Sequence, residues 1–330
     1  MKRIISTLLS VFLLALTLPF TASAETEIPE GFTPIYTIED LDNVRNNSGG
    51  KFIMMNDLDL AGIDWVPIST FSGTFDGNGY VILNLTVSGY DYGGLWGRIY
   101  GGALIQNLGI VNCTIDAVKS AGGIAGSHPP VNMMLGVIIT NCSVTGSIYS
   151  SGIAGGMIGS IEGSFMPNMF PPVVIKDCYT MAQVSGGRAG GIFGDSPGPG
   201  TCPVDVFSSY FGGSSSRSPL GNTYGGNYAA GKLEGFYFLD TSAPESYVPL
   251  PPPYSPTALT DAQMRQQVSF EGFDFSETGP WVMPTDGGYP VLKIFVRESE
   301  PEPIPDPCWA RLPCWVQWIL RWVCFGWIWM

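Results

Sequence analysis

Four aspartates in the first quarter of the chain are the strongest candidates for chemistry: Asp57, Asp59, Asp64 and Asp76. Two carboxylates that face one another can act as acid and base on a glycosidic bond, so a carbohydrate-cleaving enzyme is one hypothesis. The phrase Asp76-Gly77-Asn78-Gly79 is also a strong turn signal, because Asp, Asn and Gly stabilise tight turns. We therefore predict a structural role for these acids and no catalytic residue.

Metal binding and nucleophilic catalysis are not predicted. The acids lack the Asp-x-Asp-x-Asp-Gly spacing of a calcium loop. His128 is the only histidine, and no second metal ligand lies at a suitable spacing from it. The sequence also lacks the Gly-x-Ser-x-Gly motif that would hold a nucleophilic serine for a catalytic triad. Because Pro129-Pro130 follows it, we predict that His128 is a surface residue in a loop. No cofactor and no metal are expected.

The composition is typical of an exported β-protein. Residues 1–24 combine a basic start, an apolar run and Ala22-Ser23-Ala24, which is the layout of a secretory signal peptide. We therefore expect an extracellular or cell-surface location. The chain has 43 glycines and only 13% charged residues, a composition that favours strands over helices. Its net charge of −13 argues against nucleic acid as a partner, because phosphate neutralisation needs a basic face.

A glycine phrase recurs along the chain. Gly94-Leu95-Trp96-Gly97 returns at 123–126, 152–155 and 191–194, and the first three copies begin 29 residues apart (94 to 123, 123 to 152). Between the copies, short runs of alternating apolar residues predict half-buried strands, as at Val81, Leu83, Leu85 and Val87. Such strands bury a face only by stacking on their own copies, with glycines allowing positive φ and close approach at the corners. An all-β parallel β-helix (β-solenoid) is predicted, with a sandwich or propeller as the alternatives.

The cysteines follow the repeats. Seven cysteines in an exported chain suggest disulfides, but Cys113, Cys142 and Cys178 each follow an Asn or Asp in the same local phrase. This placement predicts stacked small side chains. Cys113 and Cys142 are expected directly above one another, with Cα atoms about 5 Å apart. The disulfide state is left open.

Short helices are predicted to cover the two ends of the stack, since exposed ladder groups recruit other chains. Near the start, Thr37 is a helix N-cap, followed by Ile38, Leu41 and Val44 on one helical face. Near the end, Thr260-Asp261-Ala262-Gln263 has the Thr-x-x-Gln capping box.

These phrases together resemble the bacterial GLUG-motif surface proteins, named for the Gly-Leu-x-Gly phrase. The resemblance covers residues 35–294, with further matching phrases at 41–47, 56–60, 73–79, 107–109 and 287–292. It implies a right-handed parallel β-helix and an extracellular protein, a class that includes haemagglutinin-like adhesins and certain peptidases. It implies no catalytic role, because the motif would be an accessory repeat in the peptidases.

The chain is predicted to continue past the β-helix domain, residues 25–296, through a Pro/Glu linker (297–307) into an apolar, Trp-rich tail (308–330). As a helix, the run from Cys314 would be about 25 Å long, short of the ~30 Å of a bilayer core. A tail that lies in the membrane interface is therefore expected, with a frame-shifted terminus as the alternative. The predicted interfacial residues are Trp315, Trp318, Trp322 and Trp329 on one face, and Arg321 on another.

These features together predict an exported, non-catalytic display or binding scaffold, adhesin-like, whose ligand is a glycan or a protein. Two alternatives stay open: a polysaccharide lyase or glycoside hydrolase with an unrecognised acidic site, and a structural component of a surface assembly. Fold alone does not choose between them. A cleft with two converging carboxylates and aromatic walls would favour the enzyme, and smooth faces with polar ladders would favour the scaffold.

Truncation after Pro307 is expected to release the protein from liposomes, because the tail would bury indole rings in the interface while Arg321 stays near the headgroups. Thermal unfolding of the folded domain should not change. Liposome co-sedimentation of the full and truncated chains measures the difference, and identical partitioning of the two would contradict the predicted membrane contact.

Overall fold

The computed structural model describes residues 28–129, 135–162, 171–196, 202–223, 231–247 and 255–297. The predicted signal peptide and residues 298–330, with Trp315, Trp318, Arg321, Trp322 and Trp329, lie outside the described residues. Within the described ranges, no helix combines the length and the apolar character needed to cross a membrane.

About half of the described chain forms strands. Those up to residue 161 are β1 (Thr33–Ile35), β2 (Lys51–Met54), β3 (Leu58–Asp59), β4 (Thr74–Asp76), β5 (Val81–Leu83), β6 (Thr86–Gly93), β7 (Trp96–Arg98), β8 (Leu104–Gln106), β9 (Gly109–Gly122), β10 (Ala125–His128), β11 (Val137–Thr140), β12 (Ser143–Gly155) and β13 (Ile158–Ile161). Those that follow are β14 (Val173–Lys176), β15 (Tyr179–Thr180), β16 (Gln183–Gly190), β17 (Phe193–Ser196), β18 (Val204–Phe211), β19 (Ser214–Ser215), β20 (Asn222–Thr223), β21 (Leu233–Leu239), β22 (Thr257–Leu259), β23 (Trp281–Val282) and β24 (Val291–Leu292).

The strands pair in parallel with their equivalents in the next turn of the chain. Strand β4 pairs with β8, β8 with β11, β11 with β14 and β14 with β18. In the described part of the chain, 17 strands form one sheet, and β7, β10, β13, β17 and β20 form a second. Only β23 and β24 pair antiparallel there. The fold is thus mostly β with a large parallel sheet, consistent with a solenoid of stacked coils.

Like residues stack inside the coils. One inward ladder consists of Phe52, Phe75, Ile105, Ile139 and Ile175, each at most 4% exposed. Burying a side chain of this size stabilises the folded state by about 1.5–3 kcal/mol. Stacking on an equivalent residue lets each coil bury a face that it could not bury alone.

Asparagine, with one aspartate, forms two of the corners. Asn84 and Asn112 lie at one corner and Asn107, Asn141 and Asp177 at another, with φ between 49° and 58°. Asn and Asp adopt this left-handed conformation more readily than other residues with a side chain. The positive φ predicted at corners therefore belongs here to Asn and Asp instead of to the glycine phrases.

The corner at Asn84 changes which apolar residues point inward. Val81 and Leu83, predicted as part of one alternating strand with Leu85 and Val87, are half-buried on either side of fully buried Ile82. The prediction was wrong for these two residues because the left-handed turn ends β5 and restarts the alternation in β6.

The glycine phrases lie where neighbouring backbones approach closely. Ala125 pairs with Trp96 in one direction and with Ile158 in the other, so the third copy of the phrase begins at Gly156. The predicted copy at 152–155 was wrong. The coils differ in length, so a fixed period selects the wrong glycine.

Two short helices confirm the predicted capping signals. In α1 (Ile38–Asn43), Thr37 and Asp40 form a capping box; in α2 (Asp261–Met264), Thr260 and Gln263 do so. Leu41 and Val44 are fully buried against the first coils. In the described ranges, the 3₁₀ turns are Val44–Asn46, Asp240–Ser242, Gln267–Ser269 and Lys293–Phe295.

The predicted stacking of Cys113 on Cys142 was wrong. Cys113 pairs with Gly146, which has a φ of 127° at a register shift between β9 and β12. Cys142 instead lies in register with Cys178, since the Tyr179 N–H donates to the Cys142 carbonyl at 3.1 Å. The Asn-Cys phrase occurs at two different corners, so identical phrases do not mark equivalent positions.

Replacing Gly155 with Ala is expected to destabilise the fold by about 1–3 kcal/mol or more, as overpacking does. A Cβ at Gly155 would lie 1.8 Å from the Ile158 carbonyl oxygen. Gly49→Ala is the matched control, because the nearest atom there is Ser72 Oγ at 3.9 Å. Urea unfolding should show a change within about 0.5 kcal/mol for the control. Equal effects of the two substitutions would show that the close approach is not a constraint.

Candidate functional site

Asp76 ends a ladder of hydrogen-bonded side chains along one corner. Asn141 Nδ2 donates to Asn107 Oδ1 at 3.1 Å, and Asn107 Nδ2 donates to Asp76 Oδ1 at 3.0 Å. Asp76 also accepts bonds from Gln106 Nε2 at 2.7 Å and from the Asn78 N–H at 2.7 Å. The carboxylate is therefore committed to a turn and a ladder.

A second ladder ends in the same way at Asp59. Asn112 Nδ2 donates to Asn84 Oδ1 at 2.6 Å, and Asn84 Nδ2 donates to Asp59 Oδ1 at 2.7 Å. The bond from Asn84, with one from the Ala61 N–H, lowers the pKa of Asp59. In both ladders each amide donates toward the N-terminal coil, so the last group must accept without donating. An ionised carboxylate does this.

The other two acids have separate surroundings. Arg297 forms a bidentate ion pair with Asp57, with both nitrogen–oxygen distances at 2.6 Å. Burial disfavours the Asp57 carboxylate, but the bonds from Arg297 and from the Val81 N–H outweigh it, so the pKa of Asp57 is lowered. Asp64 is exposed and joins the stack through a backbone bridge to Thr86. Among the described residues, the four candidate acids thus have no side-chain partner in common.

His128 is buried, so its predicted position in a surface loop was wrong. It is the last residue of β10 and is 8% exposed. Its Nδ1 donates to the Ile99 carbonyl at 2.9 Å, and burial lowers its pKa. Strand β10 stays paired with β13 up to His128, which pairs with Ile161. The prolines that follow therefore end the strand after His128 instead of before it.

A C-terminal strap, residues 270–297, crosses the outside of the coils. At one end Ser208 Oγ donates to the Gly272 carbonyl at 2.8 Å, and at the other Arg297 binds Asp57, which directly precedes β3. Tyr210 of β18 and Trp281 of the strap are buried in one aromatic cluster, with ring centroids 5.9 Å apart. The strap connects late coils to the first ones. No local sequence signal predicted these contacts.

An open cleft of about 590 Å³ lies between the strap and the Asn/Asp corner, a volume within the usual range of ligand sites. Its lining consists of Thr140, Asn141, Lys176, Asp177, Glu277, Thr278, Gly279, Pro280, Leu292, Lys293 and Ile294. Within the described chain this lining contains no aromatic side chain. The cleft therefore offers hydroxyls, an amide and charges, with apolar surface from Pro280 and Ile294.

Asp177 occupies the ladder position that follows Asn141, but it cannot donate when ionised. Trp281 of the strap donates its indole N–H to Asp177 Oδ1 at 3.1 Å, and Lys176 Nζ lies 3.7 Å from Oδ2. Burial raises the pKa of Asp177 above its ordinary value of 3.8, although the hydrogen bond from Trp281 and the nearby positive charge of Lys176 act against this. A perturbed carboxyl in a cleft marks a candidate functional site.

The strap supplies the facing charges. Glu277 is exposed on this wall, and Lys293 Nζ donates to the Ser276 and Glu277 carbonyls. In the described ranges, no three His, Cys, Asp or Glu residues come together in a group that could hold a metal ion. The sequence offered one signal for this site, because Lys176-Asp177-Cys178 repeats the local phrase found at Cys113 and Cys142. No sequence signal marked Glu277, Trp281 or Lys293.

Comparison with known proteins gives limited matches. No family model matches the chain. The chain is 25% identical over 166 residues to halomucin of Haloquadratum walsbyi (strain DSM 16790 / HBSQ001), covering 45% of this chain and only 2% of halomucin. It also resembles the crystal structure of a "putative immunoglobulin A1 protease" from Bacteroides ovatus, with a TM-score of 0.55 and 21% identity over 79% of this chain and 92% of that one. The structural likeness shows the fold alone.

Asp177→Asn and Asp57→Asn are expected to shift the pH dependence of stability in opposite directions. Because the folded-state pKa of Asp177 is raised, ionisation lowers stability as pH rises from 3.8 through that pKa. The Asp177→Asn substitution should remove this loss, while its amide oxygen still accepts from Trp281. Because the pKa of Asp57 is lowered, its charge stabilises the fold above 3.8, and this is lost as pH falls through the folded-state pKa.

Urea unfolding between about pH 3 and about pH 7 measures both effects. As pH rises, the free energy of unfolding of Asp177→Asn should increase relative to that of the wild type, and that of Asp57→Asn should decrease. Parallel curves for the two variants would contradict the assigned environments.

Proposed function

We propose that this chain is an exported, non-catalytic surface protein that serves as a display or binding scaffold, adhesin-like, for a glycan or a protein. One observation carries the proposal. The aspartates that were the strongest candidates for catalysis accept hydrogen bonds from other parts of the fold. Asp76 and Asp59 each end an amide ladder, and Asp57 pairs with Arg297. Carboxylates committed in this way stabilise a surface instead of exchanging protons with a substrate.

The proposal includes the finer assignments made from the sequence. We propose a right-handed parallel β-helix of the GLUG type, supported by glycine phrases at equivalent positions beginning at Gly94, Gly123, Gly156 and Gly191. Residues 1–24 would direct export, and the tail at 308–330 would contact a membrane surface.

A carbohydrate-active enzyme is the second candidate, because Asp177 and Glu277 line one cleft and the pKa of Asp177 is raised. Such a pair could act as acid and base. The aromatic platforms that sugar-cleaving clefts often present are missing from the described lining, and Trp281 is fully buried. The likeness to the Bacteroides ovatus chain adds proteolysis of immunoglobulin A1 as a reaction to assay.

The scaffold proposal is tested by binding and turnover on the same preparation. The full chain should bind at least one member of a panel of glycans, matrix proteins and live cells, and should not turn over pectins, mucins, peptidoglycan or immunoglobulin A1. Asp76→Ala should destabilise the fold by about 1–3 kcal/mol, because two side-chain donors lose their acceptor, while binding by the folded fraction persists.

Asp64→Ala is the matched control, since the described residues give the Asp64 side chain no hydrogen bond, and its stability should stay within about 0.5 kcal/mol of the wild type. Reproducible turnover abolished by Asp76→Ala, Asp177→Asn or Glu277→Gln in a folded protein would overturn the non-catalytic proposal in favour of the enzyme.

A further inference from the structure

We infer that the cleft between the C-terminal strap and the Asn/Asp corner binds an acidic saccharide, with Lys176 contacting the sugar carboxylate. This inference rests on the proposed binding function and assigns it a site and a ligand class. It starts from the interruption of the ladder at Asp177, which leaves polar groups of one coil facing the strap across open space.

The interruption leaves an acceptor in the cleft. Asn141 uses Nδ2 to donate to Asn107. The next ladder position is Asp177, and an ionised carboxylate has no proton to return to the Asn141 carbonyl oxygen. Among the described residues, no side chain donates to that oxygen. It is therefore available to accept from a hydroxyl group of a ligand.

Two lysines line the cleft, one from the stack and one from the strap. Lys176 comes from the stack, and its side chain is 56% exposed, with Asp177 Oδ2 at 3.7 Å, beyond hydrogen-bonding distance. Lys293 comes from the strap and donates to two backbone carbonyls, so one of its three donors is left. The lining thus carries two lysines beside Asp177 and Glu277, so its charges balance in a chain whose net charge is −13.

The remaining lining suits a sugar better than a small inorganic anion. Thr140 lines the cleft from the stack and Thr278 from the strap, and Pro280 with Ile294 provides apolar surface for ring C–H groups. Small-molecule sites combine apolar surface with a few placed polar groups, and this lining supplies both. The volume of about 590 Å³ exceeds that needed for an ion alone.

Isothermal titration of the full chain with an oligogalacturonate, and with its methyl ester, tests the inference. The acid should bind and the ester should bind about tenfold more weakly, because esterification removes the charge that Lys176 contacts. Lys176→Met should weaken binding of the acid about tenfold. Glu277→Gln should strengthen it, since an exposed like charge leaves the cleft.

Lys232→Met is the matched control, because Lys232 is exposed and lies outside the cleft lining. It should leave the affinity unchanged. Equal binding of acid and ester, no effect of Lys176→Met, or an equal loss from Lys232→Met would overturn the inference. If the acidic saccharide does not bind while another glycan, protein or cell type does, this inference fails and the proposed scaffold function stands.

Discussion

The structure depends on a single backbone constraint, the left-handed turn at the coil corners. A residue at positive φ must be glycine or a residue that tolerates the strain, and these corners use Asn, whose amide can also donate and accept. Stacking then aligns the amides, and each donates to its neighbour in the preceding coil. The direction is set by carboxylates that only accept, at Asp76 and Asp59. Fold and charge placement thus follow from one requirement.

The same constraint explains where the surface becomes chemically distinct. Asp177 keeps the corner geometry but donates nothing to Asn141, and its own Oδ1 accepts from the indole N–H of Trp281, outside the stack. Burial without a full set of partners raises the pKa of this carboxyl. A cleft lies where the strap stands away from the corner. The interruption, more than the acid-rich first coils, marks the part of the described surface suited to a ligand.

The parts that could be predicted from the sequence are those governed by local physics or by repetition. Thr37 and Thr260 signal helix starts within four residues, and repeated short strands require parallel stacking. The register between coils was less predictable. Because coil length varies, the fixed period misplaced the glycine phrase at 152–155. Because the same Asn-Cys phrase occurs at two corners, it misplaced Cys113. The strap could not be predicted, since the contact of Arg297 with Asp57 joins residues 240 positions apart and leaves no periodic or local trace.

The return of the strap has a mechanical consequence. Strand β1 pairs with β2 in the first coil, and Arg297 is held by Asp57 of the same coil and by the ring of Tyr80, 5.0 Å from its guanidinium. A force applied between residues 28 and 297 would therefore not stretch the stack along its axis. It would instead shear the strap from the first coil, loading the bidentate ion pair together with the β1–β2 ladder. The later coils would remain outside the path of the load until the strap had detached.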